Sequence, residues 1–254
     1  MAILIANLTS GSSPTDTQTY NSASISPGAN KLILAAISIR NYAAADLGTI
    51  TLTGNGLTWV EIATITYSSI ASSQQRLSLF RAMGASPSAG AVTITISGTG
   101  NSRCTWAIDE TSGMDTTGTN GSGAIVQNAK DATNNGTVDP VAVTLSAISD
   151  TTNNATYACF ANANNRAVTP GGSYTELIDV STDATIETQW LLPGTTTPTV
   201  TGFTAGDDVS GVGIEIKMAA GGDVSLALTG IASTLGIGTV VIATTLSLTG
   251  IASE

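Results

Sequence analysis

The stretch Ala91–Asn101, AVTITISGTGN, determines the class of fold. In its first part the apolar residues Val92, Ile94 and Ile96 alternate with hydroxyl side chains. Alternation with this period places the apolar side chains on one face of a β-strand and the hydroxyls on the other. The glycines and asparagine that follow are typical of a tight turn. The stretch therefore predicts a half-buried strand that ends in a turn.

Similar strand and turn signals continue along the chain up to Lys217. Leu32–Ile37 is an uninterrupted apolar run, which is typical of a strand covered on both faces. Gly54–Gly56 and Pro193–Gly194 are turn sequences between such runs. The predicted strands are Ala2–Leu8, Gln18–Ile25, Lys31–Ile39, Thr49–Leu52, Leu57–Thr66, Arg76–Arg81, Ala91–Ser97, Arg103–Asp109, Ala124–Gln127, Val141–Ser146, Thr156–Ala161, Tyr174–Val180, Thr185–Leu191, Thr199–Phe203 and Val212–Lys217.

Short strands separated by Gly, Pro and Asn turns predict an all-β protein, an antiparallel β-sandwich of the jelly-roll type. We expect a single sandwich over residues 1–219. The sequence Ala219–Gly222 reads as a short flexible linker. Residues 220–254 are then a C-terminal extension.

The extension contains an internal repeat. LALTGIAS at 226–233 recurs as LSLTGIAS at 246–253, and no charged residue lies between Val224 and Ser253. The Ser, Thr and Gly content argues against a membrane-spanning helix. A strand–turn unit used twice predicts pairing with a neighbouring chain or with a sheet edge. The residues predicted to make this assembly contact are Leu226, Leu228, Ile231, Leu246, Leu248 and Ile251.

Composition excludes several function classes. The chain has 254 residues and no histidine, which excludes Ser-His-Asp catalysis and His-ligated metal sites. Eight Lys and Arg against 18 Asp and Glu give a formal net charge of −10, which disfavours a nucleic-acid-binding face. We predict that the protein is not an enzyme and has no cofactor. Cys104 and Cys159 are predicted to be buried free thiols, with a disulfide as the alternative.

The acidic residues allow two interpretations. Asp109–Glu110 and Asp207–Asp208 are interpreted as solvated loop charges. The alternative is a calcium site, because this hard cation binds carboxylate and carbonyl oxygens. The candidate ligands are Asp179, Asp183, Asp207 and Asp208.

Aromatic and amide side chains bear on carbohydrate binding. Trp59, Trp106 and Trp190 lie in apolar or alternating strands, which favours packing in the core. A sugar-binding role stays open for one loop, where amides and a guanidinium could bind hydroxyl groups. Its residues are Asn162, Asn164, Asn165 and Arg166.

Several segments resemble a β-sandwich family of tailed bacteriophages, whose members are virion-associated proteins. The segments are Ser12–Ile39, Gly56–Ile62, Phe80–Ile96, Thr111–Gln127 and Gly211–Lys217. The LTGIAS repeat is also similar to repeats at the ends of phage structural proteins, although it lacks their aromatic residue and proline. The resemblance implies a virion component such as a capsid decoration protein, head fibre or tail appendage.

These observations predict a structural protein of a multi-subunit particle. The expected partners are other copies of the chain, with a trimer favoured, and other virion proteins, but neither nucleic acid nor a membrane. The N-terminus MAILIANLTSGSS lacks a basic region, so we expect synthesis in the host cytoplasm without Sec export and residence in the virion, or else an extracellular location. The alternatives are a receptor-binding module that recognises a surface glycan, and an extracellular filament subunit assembled by donor-strand exchange.

Overall fold

The computed structural model of the protein describes residues 2–41, 47–67, 74–99, 101–136, 139–162, 164–182, 184–204 and 206–220. The chain divides into two units, Met1–Ala219 and Ala220–Glu254. All described residues except Ala220 belong to the first unit. The LTGIAS repeat and its six predicted assembly residues lie outside the described residues.

The described chain is almost entirely β-structure, and its strands pair antiparallel. The first eight strands are β1 (Leu4–Ser13), β2 (Thr19–Asn21), β3 (Leu32–Asn41), β4 (Ile50–Thr53), β5 (Val60–Tyr67), β6 (Gln74–Ala82), β7 (Thr93–Ile96) and β8 (Asn101–Ser112). A 3-10 helix at Ser122–Ala124 precedes the second eight: β9 (Ile125–Gly136), β10 (Val141–Ala142), β11 (Ala155–Asn162), β12 (Thr169–Pro170), β13 (Thr175–Val180), β14 (Thr185–Leu191), β15 (Thr199–Thr201) and β16 (Asp207–Ile216).

The all-β class and the antiparallel sandwich architecture are confirmed, but residues 1–219 contain two sandwiches where a single one was predicted. β1–β8 form a five-stranded sheet in the order β1-β8-β3-β6-β5 and a three-stranded sheet in the order β2-β7-β4. β9–β16 repeat both orders, as β9-β16-β11-β14-β13 and β10-β15-β12. We call β1–β8 the first sandwich and β9–β16 the second. Each sandwich has the strand order of a jelly roll, except that its fifth strand joins the five-stranded sheet instead of the three-stranded sheet. These fifth strands are β5 and β13.

The two sandwiches pack through their five-stranded sheets, which we call the central sheets. The central core lies between these sheets and includes Leu34 and Leu79 of the first sandwich and Val212 and Ile214 of the second. Each sandwich also has one outer core, which lies between its central sheet and its three-stranded outer sheet. The second outer core is the smaller, with Phe160 among its buried residues. The order of layers is outer, central, central, outer, so both faces of each central sheet are covered.

Strand β3 illustrates this double coverage. Leu32–Ile37 is buried throughout, which confirms the prediction from its apolar run. Even-numbered residues such as Leu34 enter the central core, whereas odd-numbered residues such as Ile37 enter the first outer core. Cys104 and Cys159 are also buried and are free thiols, as predicted.

One hydrogen-bonded feature is repeated in both sandwiches. Glu110 of β8 lies opposite Ile33, the second residue of β3, and Glu215 of β16 lies opposite Thr156, the second residue of β11. Glu110 Oε2 accepts a hydrogen bond of 2.6 Å from the backbone N–H of Gly28 before β3. Each glutamate thus binds the segment that leads into the third strand of its own sandwich.

The network around Glu215 is the more extensive. Its Oε1 accepts hydrogen bonds from the backbone N–H of Ser149 at 2.8 Å, from Ser149 Oγ at 2.6 Å and from Asn154 Nδ2 at 2.7 Å. Its Oε2 accepts one from Gln127 Nε2 at 2.6 Å. Burial alone raises the pKa of Glu215, but these hydrogen bonds outweigh burial and hold the pKa below its usual value.

We expect Glu215→Ala to lower the free energy of unfolding by about 3 kcal/mol, because buried donors lose a charged acceptor. Urea unfolding of the full-length protein measures this. Glu110→Ala is the matched control, since Glu110 is half-buried and its acceptor bond is to Gly28. It should lower the free energy of unfolding by less than half as much. Equal losses would contradict this account of the two glutamates.

Candidate functional site

A buried carboxylate, Asp109, lies in the interface between the two sandwiches. Asp109 is on β8 and is fully buried. Its Oδ1 accepts a hydrogen bond of 2.8 Å from Asn7 Nδ2, and its Oδ2 accepts one of 2.8 Å from the hydroxyl of Tyr157 on β11. Burial raises the pKa of Asp109, and the hydrogen bonds from Asn7 and Tyr157 offset part of this rise. The resulting pKa is about 6. The interpretation of Asp109–Glu110 as solvated loop charges is therefore wrong.

The Asp109–Tyr157 bond has no counterpart in the other half of the interface. By strand register, Ile214 corresponds to Asp109 and Leu34 corresponds to Tyr157. Both of these residues are apolar members of the central core. The duplication is thus symmetric in topology, but of the two corresponding positions only Asp109 carries a carboxyl group.

A second buried acidic position lies on β14, facing the second outer core. Glu187 pairs with Asp179 of the edge strand β13 on one side and with Phe160 of β11 on the other. Glu187 is fully buried, and neither of its carboxylate oxygens has a hydrogen-bond partner. Burial raises its pKa well above the usual value, and the carboxyl groups of Glu176 and Asp179 raise it further. This is the least satisfied group of buried polar atoms in the described chain.

The candidate calcium ligands are not brought together as a set. Asp179 lies on β13, while Asp207 and Asp208 begin β16 and are 4% and 3% exposed. Asp207 and Asp208 are therefore not solvated loop charges, which corrects that interpretation. Asp183 lies outside the described residues. Metal ligation by these residues stays a prediction.

Asp207 is engaged by donors of the protein. Its Oδ1 accepts a hydrogen bond from Asn164 Nδ2 at 2.5 Å, and its Oδ2 accepts one from the backbone N–H of Thr204 at 2.8 Å. Arg166 Nε lies 3.1 Å from the same Oδ2 in an ion pair. The amide of Asn164 and the guanidinium of Arg166, considered above for sugar binding, are thus directed at Asp207.

The other end of this segment is held by Asp179. The backbone N–H of Val168 donates a hydrogen bond of 2.9 Å to Asp179 Oδ2. Asp207 and Asp179 therefore anchor the two ends of residues 164–168. Asp179 retains a second oxygen, Oδ1, which is buried and has no partner.

Of the three tryptophans predicted to pack in the core, one is buried and two are partly buried against a core. Trp106 belongs to the first outer core, Trp59 packs against that core, and Trp190 packs against the central core. Trp106 also forms part of a shallow groove of about 420 Å³ on the first sandwich. The other residues that line the groove are Ser13, Thr15, Thr17, Thr19, Tyr20 and Asn21. Five of these seven lining residues carry a hydroxyl group.

The surface of the described unit carries few large apolar side chains. Leu4 and Val126, exposed by 61% and 41%, are the ones found among the described residues. Both lie near the start of a sandwich, on β1 and β9. The body therefore presents scattered apolar residues and polar groups to its surroundings.

The end of β16 is fixed beside the start of β1. Gly113 accepts a hydrogen bond of 2.9 Å at its carbonyl from the backbone N–H of Ala219. Gly113 has a φ of +76°, and a Cβ atom at this position would collide with the carbonyl of Ala2. Lys217 Nζ also lies 2.8 Å from Asp115 Oδ2. The last described residues thus leave the first unit next to its N-terminal strand.

The fold and these sites define an all-β protein built from two jelly-roll sandwiches in tandem. In the described part of the chain, no helix has the length and apolar character needed to cross a membrane. Comparison with protein-family models, with curated proteins and with solved structures finds no match. The resemblance to phage virion proteins therefore depends on the sequence segments given above.

Sequence reasoning missed Glu187, Tyr157 and the buried state of Asp109. In Thr185–Leu191 the polar Glu187 follows the apolar Ile186, a pattern that predicts a solvent-facing carboxylate. The three-stranded outer sheet of the second sandwich covers that face instead. The available signal was an acidic residue in a strand that pairs with the apolar residues Phe160 and Ala161. This signal can be used only when the pairing of the two strands is known.

We expect Asp109→Asn to remove a pH-dependent contribution to stability. The folded protein binds this proton more tightly than the unfolded chain, so Asp109 favours folding most below pH ~4 and loses that contribution as the pH rises through 6. The shift from 3.8 to about 6 corresponds to about 3 kcal/mol. Asparagine can still accept from Asn7 and donate to Tyr157.

The measurement is the free energy of unfolding from pH 4 to pH 7 for both proteins. The variant should gain about 2 kcal/mol relative to the native chain over this range, because part of the contribution of Asp109 is already lost at pH 4. Asp16→Asn, at an exposed position, is the control. Parallel pH profiles for Asp109→Asn and the native chain would refute the raised pKa of Asp109 in the folded protein.

Proposed function

We propose that this chain is a non-enzymatic structural protein of a multi-subunit particle, specifically a bacteriophage virion component such as a capsid decoration protein, head fibre or tail appendage. It acts by self-association and attachment. The sandwiches serve as the body, and residues 220–254 serve as the connector.

The observation that carries this proposal is the contrast between the body and the extension. Large exposed apolar residues in the described unit amount to Leu4 and Val126, which are too few for an extensive apolar interface. The uncharged sequence Val224–Ser253, with its duplicated apolar octapeptide, follows directly. Apolar binding energy is therefore concentrated in the extension, where main-chain pairing can add to it.

The body has properties that suit a repeated subunit. Stacked β-sheets lie about 10 Å apart, so the four layers span about 30 Å between the outer sheets. A closely packed interior of this thickness makes a rigid spacer. The formal net charge of −10 makes neighbouring bodies repel one another and keeps many copies soluble.

The connector role is tested by deleting residues 222–254. The truncated chain should retain its β-sheet circular dichroism spectrum and lose the oligomer that the full-length protein forms in light scattering. We expect a closed oligomer from the full chain, with a trimer favoured. A truncated protein that still assembles would contradict the connector role, and one that unfolds would place the extension within the sandwich.

Point substitutions separate assembly from folding more finely. Leu226→Asp combined with Leu246→Asp introduces one charge into each copy of the repeat and should abolish assembly. Leu4→Asp is the matched control, because it introduces a charge at an exposed apolar residue of the body. It should leave the oligomer intact. Open-ended polymers of the full-length chain would instead favour the filament subunit.

The groove beside Trp106 favours a second candidate function, recognition of a surface glycan by a virion appendage. Its Ser, Thr, Tyr and Asn side chains can donate and accept hydrogen bonds with sugar hydroxyls. A glycan array with the full-length protein tests this. Selective binding that is lost on Thr17→Val and kept on Thr51→Val, an exposed threonine of β4, would support the glycan function.

A further inference from the structure

Four of the buried oxygens without a hydrogen-bond partner in the second sandwich point to a ligand that the proposed function does not require. These four belong to three side chains of the strand pair β13–β14. Glu187 contributes both carboxylate oxygens, Asp179 contributes Oδ1 and Gln189 contributes Oε1. All four atoms are buried without a hydrogen-bond partner. Each is an acceptor, so the group lacks a positively charged or hydrogen-bond-donating partner.

Strand register places these side chains on one face. Asp179 lies directly opposite Glu187, and directly opposed residues of antiparallel strands point to the same side of the sheet. Glu187 and Gln189 are two residues apart on β14, which gives them the same face as well. Ile186 enters the central core, so this face is directed at the second outer core. The three side chains are therefore neighbours.

Gln189 is evidence independent of the acidic pair. Its Nε2 donates a hydrogen bond of 3.0 Å to the carbonyl of Thr199, which identifies the donor end of the amide. The remaining atom, Oε1, is then an uncharged acceptor on a side chain that is fully buried. A buried amide oxygen beside two carboxylates lacks a partner that a protein donor would normally supply.

The first sandwich shows what this position contains when no ligand is needed. By register, Thr64, Ser78 and Phe80 correspond to Asp179, Glu187 and Gln189. Thr64 Oγ1 and Ser78 Oγ lie 2.7 Å apart and satisfy each other in a hydrogen bond. Phe80 is an apolar residue of the first outer core. The second sandwich has replaced a self-satisfied pair by oxygens that need an external partner.

We propose that Asp179, Glu187 and Gln189 form a binding site for a hard divalent cation of the Ca²⁺ class. Ca²⁺ prefers carboxylate and amide oxygens and accepts about six to eight ligands in irregular geometry. Two carboxylates match its charge. Within the described residues no group of three or more Asp, Glu or Cys side chains is arranged to hold a metal, so an ion bound here would need water molecules to complete its coordination.

The bound ion would act on the edge of the second central sheet. β13 is the edge strand of that sheet, and Asp179 also holds the segment that precedes β12 through Val168. A cation between Asp179 and Glu187 would join the edge strand to β14 and relieve the repulsion between the carboxylates. We therefore expect Ca²⁺ to stabilise the fold rather than to take part in a reaction.

The test uses the full-length protein, first treated with EDTA and then titrated with CaCl₂ in a calorimeter. We expect one Ca²⁺ per chain and a higher unfolding temperature in Ca²⁺ than in EDTA. Glu187→Gln should weaken Ca²⁺ binding by at least about 100-fold, because even loss of a group behind a ligand costs about 10–100-fold. In EDTA, the same variant should unfold no earlier than the native chain, because it removes a buried unpaired carboxylate.

Two controls make the result decisive. Asp16→Asn removes an exposed charge elsewhere and should leave the Ca²⁺ response unchanged. MgCl₂ in place of CaCl₂ should raise the unfolding temperature less, because Mg²⁺ demands octahedral geometry. A native chain without calcium heat and with equal unfolding temperatures in Ca²⁺ and EDTA would overturn the proposal. So would a Ca²⁺ response retained by Glu187→Gln. Neither result depends on residues 222–254, so failure here leaves the connector role intact.

Discussion

Packing of the two five-stranded sheets against each other is the constraint on which the rest of the structure depends. Each central sheet is covered by its own outer sheet on one face and by the other sandwich on the second face. Strands β3 and β11 are therefore buried along nearly their whole length. Because every residue of such strands must suit an interior environment, polar side chains there require partners within the protein.

The polar side chains of the interior follow from this constraint. Asp109 is satisfied by Asn7 of its own sheet and by Tyr157 across the interface between the sandwiches, and Glu215 is satisfied by Ser149, Asn154 and Gln127. The carboxylates of Asp109 and Glu215 thus connect segments that are distant in sequence. Glu187 is the contrast, since it is equally buried but without hydrogen-bond partners. That contrast between satisfied and unsatisfied carboxylates directs attention to the face of β14 that Glu187 and Gln189 share.

Alternation and turn chemistry were sufficient to predict the class of fold. VTITIS became β7, the apolar run of β3 is covered on both faces, and the turn at Asn55 has the positive φ expected there. The duplication could not be predicted, because corresponding residues such as Asp109 and Ile214 differ in chemistry while occupying the same place in the sheet order. Burial of Glu187 was missed for a related reason. Polar residues at every second position indicate a solvent-exposed face only when one face of the sheet is not covered by another layer. Here both faces of each central sheet are covered.

The tandem sandwiches form one body, because the central core belongs to both. Differential scanning calorimetry of the full-length protein, repeated at several concentrations to separate unfolding from self-association, tests this most directly. A single transition with equal calorimetric and van't Hoff enthalpies is predicted, since neither sandwich can keep its central face covered once the other unfolds. Two separate transitions, one for each sandwich, would contradict the shared core.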